Sequence, residues 1–280
     1  TGVGSAAYGV RSIAYNDGSI AIGQHSVSGC NSGSADYPND PDAVIIITDP
    51  VDVNDTTAIG TGAQATHSFS TALGASAHAS GYFGTALGKS AVASGSFSTA
   101  TGVESRASGF QSTATGQGSI ASGHYSTASG ARATASGTDS SAYGLKAEAS
   151  GWSSMAIGAY SAASNYFDTA IGGHSTASGN SSTSIGHGAS ATTENSVALG
   201  ANSVADEANT VSVGSVGNER RITNVAYGNE ATDAAAYGQL LETNARVNML
   251  ESNVTAVSGA TASGTDSAAY GQGAVASGNN

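Results

Sequence analysis

The groups able to do chemistry in this 280-residue chain are six histidines, many serines, one cysteine and an acidic stretch near the N-terminus. A metal centre needs histidines, thiolates or carboxylates at ligand spacing. His78 stands three residues before a glycine, His124 and His187 directly follow one, and His174 lies two after one. Lacking a shared phase, they form no column and show no ligand spacing. A serine nucleophile needs a sharp strand-to-helix elbow of the form GxSxG, with a histidine and an acid to activate it; no such elbow stands here. Asp40, Asp42, Asp49 and Asp52 carry oxygens that suit Ca2+, but their spacing matches no known calcium loop. Catalysis, a cofactor, a bound metal and a small-molecule substrate are therefore not expected.

The side chains that do follow a pattern are aromatic. Phe69, Phe83 and Phe97 recur every 14 residues, and Tyr125 and Phe167 fall on the same phase. Tyr82, Phe110, Trp152 and Tyr166 occupy the neighbouring phase. On stacked coils about 4.8 Å apart, such a column becomes a ladder along one edge. The ladder is either an edge packed on a second copy of the chain or an exposed stripe for a fibrous ligand, since aromatic residues are typical interface anchors. Phe69, Phe83, Phe97, Tyr125, Trp152 and Phe167 are the candidate ligand contacts.

The elements that must carry this ladder are set by glycine. One series runs Gly60, Gly74, Gly88 and onward every 14 residues to Gly214. A second, half a period away, runs from Gly81 to Gly151 and Gly179, with Asn165 and Thr193 where glycine fails. A fixed period of this kind marks a repeat protein whose units bury a continuous core only by stacking. Each half-period has room for one strand of about five residues and a turn. Before the first-series glycine the order is mostly Thr or Val, Ala, then Leu or Ile, with Thr101, Thr115, Ser129 and Tyr143 at the last place in four coils, so one strand face carries alanine and the other Leu/Ile with Thr/Val. In the second strand alanine alternates with an unconstrained position (His78, Val92, Arg106, Ile120), the mark of a solvent-facing row. The alanine faces of both strands meet inside a narrow roll. The Leu/Ile face is left uncovered and predicts self-association.

Leu, Ile, Val and Phe together fall below the roughly 20% typical of folded chains, but a disordered chain has no reason to keep a strict register. Net charge is −12 with only 8 Lys+Arg, which excludes a nucleic-acid partner, because nothing would neutralise phosphates. Cys30 is the only cysteine, so no disulfide forms within the chain; it is an isolated loop residue or a link between chains. No apolar run is long enough for a membrane-spanning helix. Neither an initiating Met nor a signal peptide is visible, so the chain reads as a piece of a longer protein. From Asp233 to Val257 the period changes to seven. One seam holds Leu240, Val247 and Val254, the other Ala236, Thr243, Leu250 and Val257, which predicts a short coiled coil. After Ser258 the repeat resumes: TASGTDSAAYG at Thr261–Gly271 nearly copies TASGTDSSAYG at Thr134–Gly144.

Three stretches carry a family resemblance: NSVALGANS at Asn195–Ser203, NTVSVGSVGNERRITNVA at Asn209–Ala226, and the heptads that follow Gln239. The chain resembles the passenger region of a trimeric autotransporter adhesin, with a YadA-like head, a neck and the start of a stalk. The resemblance implies a mostly β fold: a left-handed parallel β-roll homotrimer, then a short trimeric coiled coil. It implies a head over 1–208, a neck over 209–232, a stalk segment over 233–257 and the start of a second head-type repeat over 258–280. The coiled-coil core would be Leu240, Val247, Leu250, Val254 and Val257. In the neck, Arg220 and Arg221 are expected to pair across chains with acids such as Glu219, Asp206 or Glu207.

The pattern departs from the family once. Gly23 and Gly60 are separated by 37 residues, one coil plus 23, so an excursion is inserted at about 29–55, with all three prolines and no Lys or Arg. It is a protruding loop or a capping feature. The implied function is a bacterial cell-surface adhesin head, held on the outer membrane by a C-terminal region absent here. It would attach to extracellular matrix (collagen-like ligands) or abiotic surfaces and mediate cell–cell aggregation and virulence. The alternative is a structural spacer or fibre segment whose binding site lies in another head of the full-length protein.

Overall fold

In a computed structural model of the chain, the residues described are 3–14, 20–22, 24, 27–28, 55–258, 261–263 and 275–277. Nearly all of the excursion expected at 29–55, with Cys30 and the four aspartates weighed for Ca2+, lies outside them, as do the side chains of Val254 and Val257. The chain divides into two units, residues 1–219 and 220–280.

In the first unit each 14-residue coil contributes a three-residue strand and a two-residue strand, such as Thr71–Leu73 and His78–Ala79. Strands of about five residues were expected; the turns take the rest. Each is closed by a bond from its fourth residue back to its first, Ala77 N–H to the Gly74 carbonyl at 3.2 Å and Gly84 N–H to the Gly81 carbonyl at 2.8 Å. Successive coils pair in parallel at an offset of 14, as in Thr71↔Thr85, Ala72↔Ala86 and Leu73↔Leu87. The result is a parallel β-solenoid of about 12 turns, with one 14-stranded and one 13-stranded sheet. The offset jumps once, where Ile20 pairs with Thr57 and Val27 with Gln64. The 23 added residues therefore leave the stacking intact on either side.

The core is alanine: Ala72, Ala79, Ala86, Ala93 and their repeats are fully buried. Only so small a side chain lets the two sheets approach this closely. Serines fill the corners. The Ser126 and Ser154 hydroxyls donate to the Gly123 and Gly151 carbonyls at 2.7 and 2.8 Å, reinforcing the turn bonds. The first glycine series has no room for a side chain: a Cβ on Gly74 (φ +134°) would lie 2.6 Å from the Gly88 carbonyl.

Every seventh residue is left-handed, usually without being glycine: Phe69 (φ 61°), Ser76 (56°), Phe83 (55°), Ser90 (55°). That conformation costs about 1–2 kcal/mol per residue. A ladder of backbone bonds offsets it, since each such N–H donates to the coil below: Phe97 to the Tyr82 carbonyl at 2.7 Å, Lys146 to that of Ala131 at 2.9 Å. As the roll runs out of coils, the position passes to Asn195, Asn202 and Asn209, the residue type that tolerates it best after glycine. Along the outside of the three-residue strands Leu73, Leu87, Ile157, Ile185 and Leu199 are 36–45% exposed, two apolar stretches separated by Thr101, Thr115, Ser129 and Tyr143.

In the second unit the helix spans Tyr237–Ser258, starting four residues after the expected boundary at 233. Gln239 sets the start. Its side-chain oxygen accepts from the Ala236 and Gly228 N–H groups at 2.9 and 3.0 Å, and its amide nitrogen donates to the Gly228 carbonyl at 3.0 Å. The bond from Ala236 is one half of a capping box, the half in which the third helical residue reaches back to the N-cap N–H. Leu240, Val247 and Leu250 are exposed on this helix. Beyond it, Thr261–Ser263 pairs in parallel with Val275–Ser277, again offset by 14.

Candidate functional site

The left-handed turn residues and their predecessors build an aromatic edge. Phe83 lies flat between Phe69 and Phe97, with centroids 4.6 and 5.3 Å away and planes within 12° and 10°. Tyr82 stands edge-on to Phe83 at 4.6 Å. Phe110 extends the cluster from Phe97 (5.8 Å) to Tyr125 (5.5 Å). The coil spacing matches the stacking distance of aromatic rings, and each such pair adds about 0.5–1.5 kcal/mol beyond area burial. Phe69, Phe83, Phe97 and Tyr125 nevertheless keep 39–52% of their surface in solvent.

The other two candidates form a separate group, because Asp139 and Ser153 interrupt the ladder phase. Trp152 meets Phe167 edge-to-face at 4.8 Å. Beside them runs a groove of about 420 Å³. Gly137, Gly151, Trp152, Ser164, Asn165 and Tyr166 are among the residues that line it. A Cβ on Gly151 would fall on the Asn165 carbonyl oxygen, at 1.9 Å. The Asn165 amide donates to the Ser178 carbonyl. Beneath this corner Asp168 is fully buried in a column otherwise held mainly by serine. Its carboxylate accepts from the Asn165 N–H (2.8 Å), the Ser182 N–H (2.9 Å) and the Ser182 hydroxyl (2.9 Å).

On the other turn edge the structure corrects the reading of the histidines. His174 and His187 do occupy different phases, yet their rings lie 5.7 Å apart, because residues 13 apart become neighbours when coils stack. Tyr160 stacks flat on His174 at 5.0 Å, and the Lys146 ammonium lies 5.2 Å from the Tyr160 ring. His78 is half-buried, and burial holds its pKa below 6.5. Among the described residues no group of three or more His, Cys, Asp or Glu is placed to hold a metal ion.

Of the neck candidates, the Glu219 carboxylate accepts from the Gly217 N–H of its own chain at 2.8 Å. Backbone hydrogen bonds at Glu219 itself and Gly217 hold its pKa below the usual value. Arg220 and Arg221 are exposed. Among the described residues no helix is long and apolar enough to cross a membrane. Sequence reading missed the Asn165–Tyr166 corner and Asp168. The available signal was the failure of glycine at 165 directly before Tyr166 and Phe167.

Residues 1–26, 54–77, 79–175 and 177–215, well over half the chain, match the family described as YadA head domain repeat (2 copies). The unmatched residues 27–53 coincide with the inserted excursion. No curated protein matches the chain. Among solved structures, the collagen-binding domain of the Yersinia adhesin YadA is 28% identical, with a TM-score of 0.49, over 60% of this chain and 87% of that one.

Proposed function

The chain belongs to the YadA head family, and from that premise we propose that its roll is an adhesive head on a bacterial cell surface, binding extracellular matrix through the aromatic edge. The observation that carries this reading is the half-exposed ladder Phe69–Phe83–Phe97 with Tyr82, Phe110 and Tyr125. A core of alanine needs no such rings for its own packing. Identical spacing along the edge suits a fibrous, repetitive ligand such as collagen, for which many weak contacts add up by avidity. In a homotrimer, favoured by the uncovered Leu/Ile stripe, three such edges would act together. Cell–cell aggregation and attachment to abiotic surfaces follow the same logic of repeated weak contacts.

The test is binding of the purified assembly to collagens, fibronectin, laminin and plain polystyrene at low and high salt. Saturable binding to one matrix protein is expected, weakened on the order of tenfold or more by Phe83→Ala with Phe97→Ala. Unchanged binding by a correctly assembled variant removes the aromatic edge from the account. A second reading, a spacer whose binding site lies in another head, is favoured by one observation. The pair Thr261–Ser263 and Val275–Ser277 restores the 14-residue offset after the helix. Binding to no surface selects that reading, and equal sticking to every surface selects a nonspecific surface adhesin.

A further inference from the structure

We propose that the groove at Trp152 and Tyr166 is a binding subsite for a neutral pyranose sugar, distinct from the phenylalanine ladder. A pyranose ring has one face of C–H bonds and a rim of hydroxyls. It is recognised by an exposed aromatic ring for the face and by fixed donors and acceptors for the rim. The groove supplies both. Trp152 is 42% and Tyr166 61% exposed. Phe167 braces Trp152 from the side at 4.8 Å, so the indole is held in place before any ligand arrives. Gly137 and Gly151 line the groove with bare backbone between these rings.

Asn165 lines this recess. It is the first residue after the run Gly81 to Gly151 to put a side chain in that column, and two hydrogen bonds fix it: its amide to the Ser178 carbonyl, and its N–H to the buried Asp168. The other non-glycine members of that column, His67, Thr193 and Glu207, are followed by Ser68, Glu194 and Ala208 where Asn165 is followed by Tyr166. The recess is therefore a local construction and not a by-product of losing glycine. A net charge of −12 disfavours sulfated or sialylated glycans and selects a neutral sugar. The inference extends the adhesive reading but rests on different residues, so each can fail alone.

Trp152 is the only tryptophan in the chain, so intrinsic emission reports on this groove directly. The experiment titrates the full chain in its native assembly with neutral oligosaccharides of glucose, galactose, mannose and N-acetylglucosamine, and with a collagen peptide as a separate arm. Expected are ready quenching of free Trp152 by acrylamide and a saturable emission shift with one sugar class. A Kd on the order of 1 mM suits an open site that covers one side of a small ligand. Asn165→Ala and Tyr166→Ala should each weaken the response about fivefold or more while circular dichroism stays unchanged. Phe83→Ala with Phe97→Ala should leave it intact. An indole shielded from acrylamide, no saturable response to any sugar, or a response to the collagen peptide alone would overturn the assignment. The last outcome would leave the matrix-binding reading standing.

Discussion

Two polar residues, one half-buried and one fully buried, show how little slack the coil has. Burial keeps the His78 pKa below 6.5, so as pH falls through about 6.5 the unfolded chain takes up a proton that the folded chain refuses. Stability from this site is complete at higher pH and is lost on acidification toward the folded pKa. Thermal melts between about pH 7.5 and 5 should therefore fall less steeply for His78→Asn than for the parent. Asp168 is the sharper case, because one carboxylate satisfies three donors. Asp168→Ala strands them and should cost about 1–3 kcal/mol or more in urea unfolding. Asp168→Ser restores the usual occupant of the column and should cost less. Neither residue was singled out as buried by the sequence pattern. Only the folded neighbourhood shows that a histidine in an outward column is half-covered and that an acid has replaced a corner serine.

At the level of the coil, the turn is the element that specifies the fold. A Cβ on Gly109 would lie 1.9 Å from the Gly123 carbonyl oxygen, with backbone and not a flexible side chain in the way. Gly109→Ala should therefore destabilise the roll by more than the roughly 1–3 kcal/mol of ordinary overpacking. Gln111, in the same turn, already sits at φ 53°. Gln111→Asn should be neutral or slightly stabilising, since asparagine accepts that region more readily. Chemical denaturation of both variants checks the pair. The two glycine series were legible as turn positions from their period. The left-handed residue two places later was not, because serine, phenylalanine, glutamate and lysine share that position and only the backbone unites them.

For the whole molecule, the decisive feature is an apolar stripe that one chain does not cover. Leu73, Leu87, Ile157, Ile185 and Leu199 lie outward in a line, and an exposed surface of that kind is an association face. Sedimentation analysis should find a self-associated species, expected to be a trimer. Leu87→Lys with Leu199→Lys should shift it toward monomer while each roll keeps its circular dichroism. The helix Tyr237–Ser258 exposes Leu240, Val247 and Leu250, so Leu250→Asp should weaken assembly further. The stripe was readable in advance because strand alternation leaves one face without a partner inside the coil. The helix start was less so: it depends on Gln239 reaching back to Gly228, a contact that the heptad pattern does not encode.

By itself, the sequence determined the period, the alanine core, the glycine positions, the site of the 23-residue insertion and the outward apolar face. A strict repeat makes every coil meet the same neighbour at the same offset, so a one-dimensional pattern is enough to place them. Tertiary structure alone decided the strand lengths, the contact between His174 and His187, the buried role of Asp168 and the groove at Trp152. The histidine contact and the Trp152–Phe167 pair join different phases of adjacent coils, and Asp168 bonds Asn165 in its own coil and Ser182 in the next. Their proximity depends on where each turn directs its side chains, which spacing along the chain does not encode.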